Sequence, residues 1–204
     1  MANRTPMRTP ERSTWLTALV WSGGFVGLLW VLEILDQVLF RQRLDGYGIR
    51  PLDTGEGLTG IVFAPLLHGG FGHLVANSVP LLVLGFLILL SGVGRWLAVT
   101  AIVWIVAGLG TWLLGGLGTL HLGASSLVFG WLVYLIVRGF FSRRPGQIAL
   151  GVVVLLVYGG ALWGVLPGQP GISWQGHLFG AVGGALAAYL LSRDDATKRL
   201  SPAP

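Results

Sequence analysis

The stretch His177-Leu-Phe-Gly-Ala-Val-Gly-Gly184 places one histidine in an apolar, glycine-rich run of membrane-span length. A titratable side chain is costly in hydrocarbon, so it indicates a functional site in such a run. Small residues also recur at every fourth position, at Gly176, Gly180, Gly184 and Ala188. This spacing predicts a helix face that packs closely against a neighbouring helix, which would bring His177 within reach of that neighbour.

The composition is that of an integral membrane protein. Of the 204 residues, 53% are hydrophobic and 10% are charged, whereas soluble domains carry roughly 25% charged residues. The net charge of +5 comes from basic residues between apolar runs, so we expect no nucleic-acid partner. The chain has no cysteine, which excludes disulfides, thiolate metal sites and cysteine nucleophiles. We expect neither a metal nor a cofactor.

Six apolar runs, each near the roughly 20 residues needed to cross a bilayer, predict an all-α bundle of six transmembrane helices. One membrane domain is expected over 15–192, between polar cytoplasmic tails at 1–14 and 193–204, with a long loop at 41–72. An apolar part of this loop, 58–67, is expected in the membrane interface. The six runs cover residues 15–40, 73–91, 96–116, 124–138, 148–166 and 173–192.

The distribution of basic residues predicts that both termini lie in the cytoplasm. Six helices place the termini on one side, and that side carries ten basic residues against three on the other. The ten are Arg4, Arg8, Arg12, Arg95, Arg138, Arg143, Arg144, Arg193, Lys198 and Arg199, and the three are Arg41, Arg43 and Arg50.

With this topology, the second, fourth and sixth helices all begin at the outer face. They bring His73, Asn77, Ser125 and His177 to a similar depth. We therefore expect a multi-pass protein of the cell membrane with its site towards the outer face.

The residue types at this depth fit a serine nucleophile with a histidine base. Neutral histidine can take the proton that makes a serine hydroxyl nucleophilic, and Ser125 opens a helix whose free N–H groups favour negative charge. His73 and Asn77, four residues apart, share a helix face. Taken alone, however, Ser125 also fits a helix cap, and His73 and Asn77 also fit a structural bridge between helices.

No third residue of a triad is evident. Asp194 and Asp195 lie at the wrong end of the last helix, whereas Glu33 and Asp36 lie at the right depth but make weak candidates. A dyad of Ser125 and His177 is therefore expected. His121, four residues before Ser125, is a rival base, although an interfacial loop residue is its simpler interpretation.

The chain resembles the rhomboid intramembrane serine proteases over all six predicted helices. Each matching motif is weak alone, but their order on helices two, four and six is specific. The motifs are His68-Gly-Gly-Phe-Gly-His73-Leu-Val-Ala-Asn77, Gly123-Ala-Ser125 and His177-Leu-Phe-Gly180-Ala-Val-Gly-Gly184.

This resemblance implies that Ser125 is the nucleophile and His177 its general base. It further implies that His73, Asn77 and the backbone N–H of Ser125 stabilise the oxyanion, and that Gly123 belongs to the same motif. The resemblance also implies that His68, which corresponds to a loop histidine of the family, has a structural role.

Two departures from the family pattern stand close to the nucleophile. Ser126 replaces a common glycine, and Phe129 replaces the tyrosine that commonly packs on the catalytic histidine. Neither change removes a reacting group, so we expect activity. The first loop also lacks an evident Trp-Arg pair and carries Tyr47-Gly-Ile-Arg50 in that region. Gly180 and Gly184 are expected to support packing around the histidine.

The expected function is cleavage of transmembrane or membrane-adjacent segments of substrate proteins within the lipid bilayer, with the oligomeric state left open. One alternative is an inactive rhomboid-like protein that binds transmembrane clients, which the presence of both Ser125 and His177 disfavours. Another is a small transporter or channel with a polar path through His73, Asn77 and His177. The charge-poor interior makes proton coupling along such a path a weaker hypothesis.

Overall fold

A computed structural model describes residues 11–200, with side chains described from 14 to 192. Over this range the chain forms seven α-helices and no β-sheet. The helices are α1 Glu11–Leu35, α2 Glu56–Phe63, α3 Phe71–Leu89, α4 Val93–Leu114, α5 Ser125–Ser142, α6 Pro145–Tyr158 and α7 Trp174–Leu200. Three of them continue into short turns of other helix types: α1 into a π-helical turn at Asp36–Phe40, and α2 and α6 into 3-10 turns at Ala64–Leu66 and Gly159–Val165.

Both predicted polar tails contain residues that are helical in the structure. Helix α1 already begins at Glu11, and α7 continues to Leu200, so each tail includes helical residues. Most of the predicted N-terminal tail (residues 1–10) and the last four residues, 201–204, lie outside the described residues. The cytoplasmic location of both tails stays a prediction.

Among the described residues, five helices are long and apolar enough to cross a membrane, which confirms an all-helical membrane bundle. They cover Thr14–Phe40, Phe71–Leu89, Val93–Leu114, Ser125–Ser142 and Pro145–Val165. Over its described residues α7 is not among them, because Gln175, His177 and several glycines make its first turns less apolar. The sixth span and the orientation of the bundle stay predictions.

Helix α7 packs mainly against α5 and α4. A Cβ atom added at Gly180 would lie 2.2 Å from the carbonyl oxygen of Ser126, and one at Gly184 would lie 2.0 Å from that of Gly130. Both contacts are with backbone atoms of α5, so only glycine allows the two helices to approach this closely. The small-residue face predicted on the last helix is therefore the face that meets α5.

The long first loop is anchored to α4 and to the loop before α5. Ile49 and His121 exchange backbone hydrogen bonds of 2.8 and 3.0 Å in an isolated antiparallel bridge. The Trp112 indole donates to the carbonyl of Asp53 at 2.9 Å, and the Trp104 indole donates to that of Ile61 at 2.8 Å. The apolar segment expected in the interface forms α2 and its 3-10 turn, which together are too short to span a bilayer.

Candidate active site

Ser125 follows a tight turn that only glycine adopts easily. Gly123 has a φ of +116°, and a Cβ atom there would lie 2.4 Å from Cε1 of His73. The turn is fixed by two hydrogen bonds, from the Gly123 N–H to the Ala64 carbonyl at 2.8 Å and from the Ala124 N–H to His68 Nε2 at 3.4 Å. Ser125 then takes the first position of α5, and both Ser125 and His73 line the same cavity.

The structure brings Ser125 and His177 together. Nε2 of His177 lies 2.9 Å from Oγ of Ser125, and its Nδ1 lies 3.0 Å from the carbonyl oxygen of Gly164. Because a carbonyl oxygen can only accept a hydrogen bond, Nδ1 carries the proton of the neutral ring. Nε2 is then free to accept the hydrogen bond of the Ser125 hydroxyl, which is the geometry that a general base requires.

Phe129, one helical turn after Ser125, stacks on the His177 ring. The ring centroids are 4.0 Å apart and the planes differ by 10°. A Cβ atom at Gly164 would lie 2.9 Å from Cζ of Phe129 and 3.1 Å from Nδ1 of His177. The imidazole is therefore held by an aromatic face and by a backbone segment that has room for no side chain.

A cavity of about 660 Å³ opens onto this pair, and His73, Asn77 and Phe129 also line it. Asn77 is only 6% exposed, and its Nδ2 has no hydrogen-bond partner among the described residues. Buried amide donors are normally paired, so this N–H group is available to a molecule that enters the cavity.

His68 joins the loop before α3 to the turn before Ser125. Its side chain is 1% exposed, accepts the Ala124 N–H at Nε2, and packs edge-on against His73 with centroids 5.2 Å apart. Burial, together with the neighbouring His73, lowers the pKa of His68 to about 3. The ring is therefore neutral at physiological pH, and its lone pair remains available to the Ala124 N–H.

The weaker candidates make other contacts. Glu33 accepts a hydrogen bond from Gln37 at 2.9 Å, and Asp36 accepts one from the backbone N–H of Leu44 at 3.0 Å. The position that a triad acid would take against His177 is filled by the Gly164 carbonyl, which sequence reasoning missed. His121, the rival base, bonds through its ring nitrogens to residues other than Ser125.

Comparisons with known proteins agree with the helix order and the motifs. The rhomboid domain model matches residues 55–194. An uncharacterised Mycobacterium tuberculosis protein is 52% identical over 205 residues, covering 96% of this chain and 85% of its own length. A Bacillus subtilis protein, provisionally named rhomboid protease YdcA, is 31% identical over 178 residues, covering 86% and 84%. The chain therefore belongs to the rhomboid family.

Proposed function

We propose that this chain is a rhomboid-type serine endopeptidase that cleaves transmembrane or membrane-adjacent segments of substrate proteins. The observation that carries the proposal is the 2.9 Å contact between His177 Nε2 and Ser125 Oγ at the wall of an open cavity. Family membership adds support, since the rhomboid family includes serine proteases. We place the protein in the cell membrane, with the cavity towards the outer face.

In the first step, Ser125 Oγ attacks the carbonyl carbon of the scissile peptide bond while its proton passes to His177 Nε2. The C–O bond that forms converts the carbonyl to a tetrahedral oxyanion. His177 becomes an imidazolium whose Nδ1–H remains bonded to the Gly164 carbonyl. A neutral acceptor in this place makes the site a dyad, with no carboxylate to balance the imidazolium.

Three groups are the donors for the oxyanion in this proposal: Asn77 Nδ2, His73 and the N–H of Ser125. Asn77 contributes a buried donor that has no other described partner. Ser125 stands in the first turn of α5, where backbone N–H groups have no intrahelical acceptor. His73 lies against the turn before Ser125, since a Cβ atom at Gly123 would lie 2.4 Å from Cε1 of His73.

In the second step, His177 donates its proton to the leaving amine as the C–N bond breaks, which leaves an acyl ester on Ser125. Water then attacks the ester carbon and gives a proton to His177. The bond from this carbon to Ser125 Oγ breaks as His177 passes the proton back to Oγ, which releases the carboxylic acid product. A transmembrane helix hides its peptide carbonyls in its own hydrogen bonds. Segments that unwind easily are therefore the preferred substrates.

The test is active-site labelling of the purified protein with a fluorescent fluorophosphonate, which reacts with activated serines. Wild-type protein should be labelled, and both Ser125→Ala and His177→Ala should abolish labelling without changing the thermal unfolding curve. Cleavage of a transmembrane substrate in liposomes should follow the same pattern. Labelling of Ser125→Ala at the wild-type level would refute the assignment, and no labelling of folded wild-type protein would favour the client-binding alternative.

A further inference from the structure

His121 joins three parts of the molecule, although it does not contact Ser125. Its backbone pairs with Ile49 of the first loop. Its side chain, 8% exposed, contacts Ser173 Oγ through Nδ1 at 2.7 Å, and it contacts Thr119 Oγ1 and the Gly115 carbonyl through Nε2 at 2.7 and 3.1 Å. Every polar atom of this histidine therefore has a partner within the protein.

The directions of these hydrogen bonds follow from the carbonyl. Gly115 can only accept, so Nε2 of His121 carries the proton, and Nδ1 accepts the hydroxyl hydrogen of Ser173. Burial lowers the pKa of His121, which keeps the ring in the neutral form that this arrangement needs. A Cβ atom at Gly115 would lie 2.8 Å from Nε2, so a glycine there preserves the space for the ring.

Ser173 in turn holds the first turn of α7. Its Oγ accepts the N–H of Gly176 at 3.3 Å, and its carbonyl accepts the N–H of His177 at 3.1 Å. A side-chain oxygen that accepts such an N–H group is a helix cap, and it fixes the start of the helix. The serine bonded to His121 therefore sets the position of the backbone that carries His177.

His121 is also close to the nucleophile in the chain, because Ser125 follows it by four residues. We propose that His121 is a positioning residue: through Ser173 it holds the first turn of α7 so that His177 Nε2 stays within hydrogen-bond distance of Ser125 Oγ. This inference rests on the proposed serine protease function. It gives His121 a role in catalysis without making it the base.

The test measures the rate constant of fluorophosphonate labelling separately from its end point. His121→Ala should lower the rate constant by about 10- to 100-fold, since small displacements of reacting groups have effects of that order. The end point should stay at the wild-type level, because the protein remains folded. Ser173→Ala should lower the rate constant to a similar extent. The double variant should be no slower than the slower single variant, because both changes break the same hydrogen bond between His121 and Ser173.

Two further variants separate positioning from a general loss of packing. In His121→Asn, the side-chain oxygen can replace Nδ1 as acceptor for Ser173, so most of the rate should return. Gln175→Ala is the matched control, since Gln175 donates to the same Gly115 carbonyl at 3.2 Å without taking part in the bond between His121 and Ser173. Its rate constant should equal that of the wild type.

The inference is overturned if His121→Ala is labelled at the wild-type rate, if only its end point falls, or if Gln175→Ala is slowed equally. If wild-type protein is not labelled at all, the proposed function fails, and hydrogen exchange then tests the connection itself. The amides of Gly176 and His177 should exchange faster in His121→Ala than in wild-type protein or Gln175→Ala. Unchanged exchange in that experiment would also overturn the inference.

Discussion

The carbonyl oxygen of Gly164 lies 3.0 Å from Nδ1 of His177, where a catalytic triad would present a carboxylate. This acceptor fixes the tautomer of the imidazole without adding a negative charge to an apolar site. Together with the stacked ring of Phe129, it fixes both the direction and the plane of the proposed base. The first prediction follows from this contact.

Gly164→Ala should slow fluorophosphonate labelling by about tenfold or more, because the reaction rate falls steeply when the general base is displaced. The added methyl group would lie 3.1 Å from His177 Nδ1 and 2.9 Å from Phe129 Cζ, so the ring or the segment must move. Gly160→Ala is the control, since a Cβ atom there has no neighbour within 4 Å and belongs to the same 3-10 turn. Equal labelling rates for the two variants would contradict the prediction.

Asn77→Ala should reduce the cleavage rate by about 10²–10³, the usual effect of removing one oxyanion donor. Its thermal stability should change little, because Nδ2 has no hydrogen-bond partner in the described part of the protein.

Ser78→Ala offers the opposite pattern and serves as the control. The Ser78 hydroxyl accepts a hydrogen bond from the Trp30 indole at 3.0 Å, so its loss should cost about 1 kcal/mol of stability with the cleavage rate retained. A normal rate for Asn77→Ala would exclude Asn77 from the oxyanion site.

Gly184→Ala should destabilise the protein by roughly 1–3 kcal/mol, the range for overpacking a close contact. The methyl group would lie 2.0 Å from the Gly130 carbonyl, so α5 and α7 must separate. Gly27→Ala on α1 meets no atom within 4 Å and should be neutral or slightly stabilising, because alanine favours the helix. Thermal unfolding in detergent measures both, and similar midpoints would argue against the close contact.

Asp45→Asn should stabilise the protein at neutral pH but not at acidic pH. Burial, with the charges of Asp36 and Glu33 nearby, raises the pKa of Asp45 to about 6, above the roughly 3.9 of an unfolded chain. A raised pKa means that the folded state binds the proton more tightly. The contribution of Asp45 to stability is therefore complete below about pH 4 and is lost as the pH rises through about 6.

The amide variant carries no such charge, so its advantage over the wild type should be largest above pH 6 and should vanish below about pH 4. Thermal unfolding of both proteins between pH 4 and pH 8 checks this. If the unfolding midpoints of the two proteins differ by the same amount across this pH range, Asp45 does not titrate in this way.

Several features follow from the sequence alone because they depend on spacing and on composition. The apolar runs predicted a helical membrane protein, and the motifs predicted membership of the rhomboid family; both are confirmed. The glycine repeat predicted a close approach of the last helix, and Gly180 and Gly184 indeed meet the backbone of α5. The roles of Ser125, His177, His73 and Asn77 and the six-span topology stay predictions.

Other features depend on contacts that carry no local signal. The acceptor for His177 is a backbone carbonyl, which every residue has. Nothing in the sequence from Gly159 to Val165 therefore distinguishes Gly164. Likewise His121 and Ser173 are far apart in the chain, and only the packing of α7 against the loop after α4 brings them together. Such connections follow from tertiary structure.

The contact between Gly164 and His177 also has a genetic consequence. A carboxylate that orients a catalytic histidine is lost by one codon change, whereas a main-chain oxygen survives every substitution at its own position. Every replacement for glycine at position 164 adds side-chain atoms against the rings of His177 and Phe129. Among apolar replacements, side-chain volume at this position should therefore rank the variants by their residual activity.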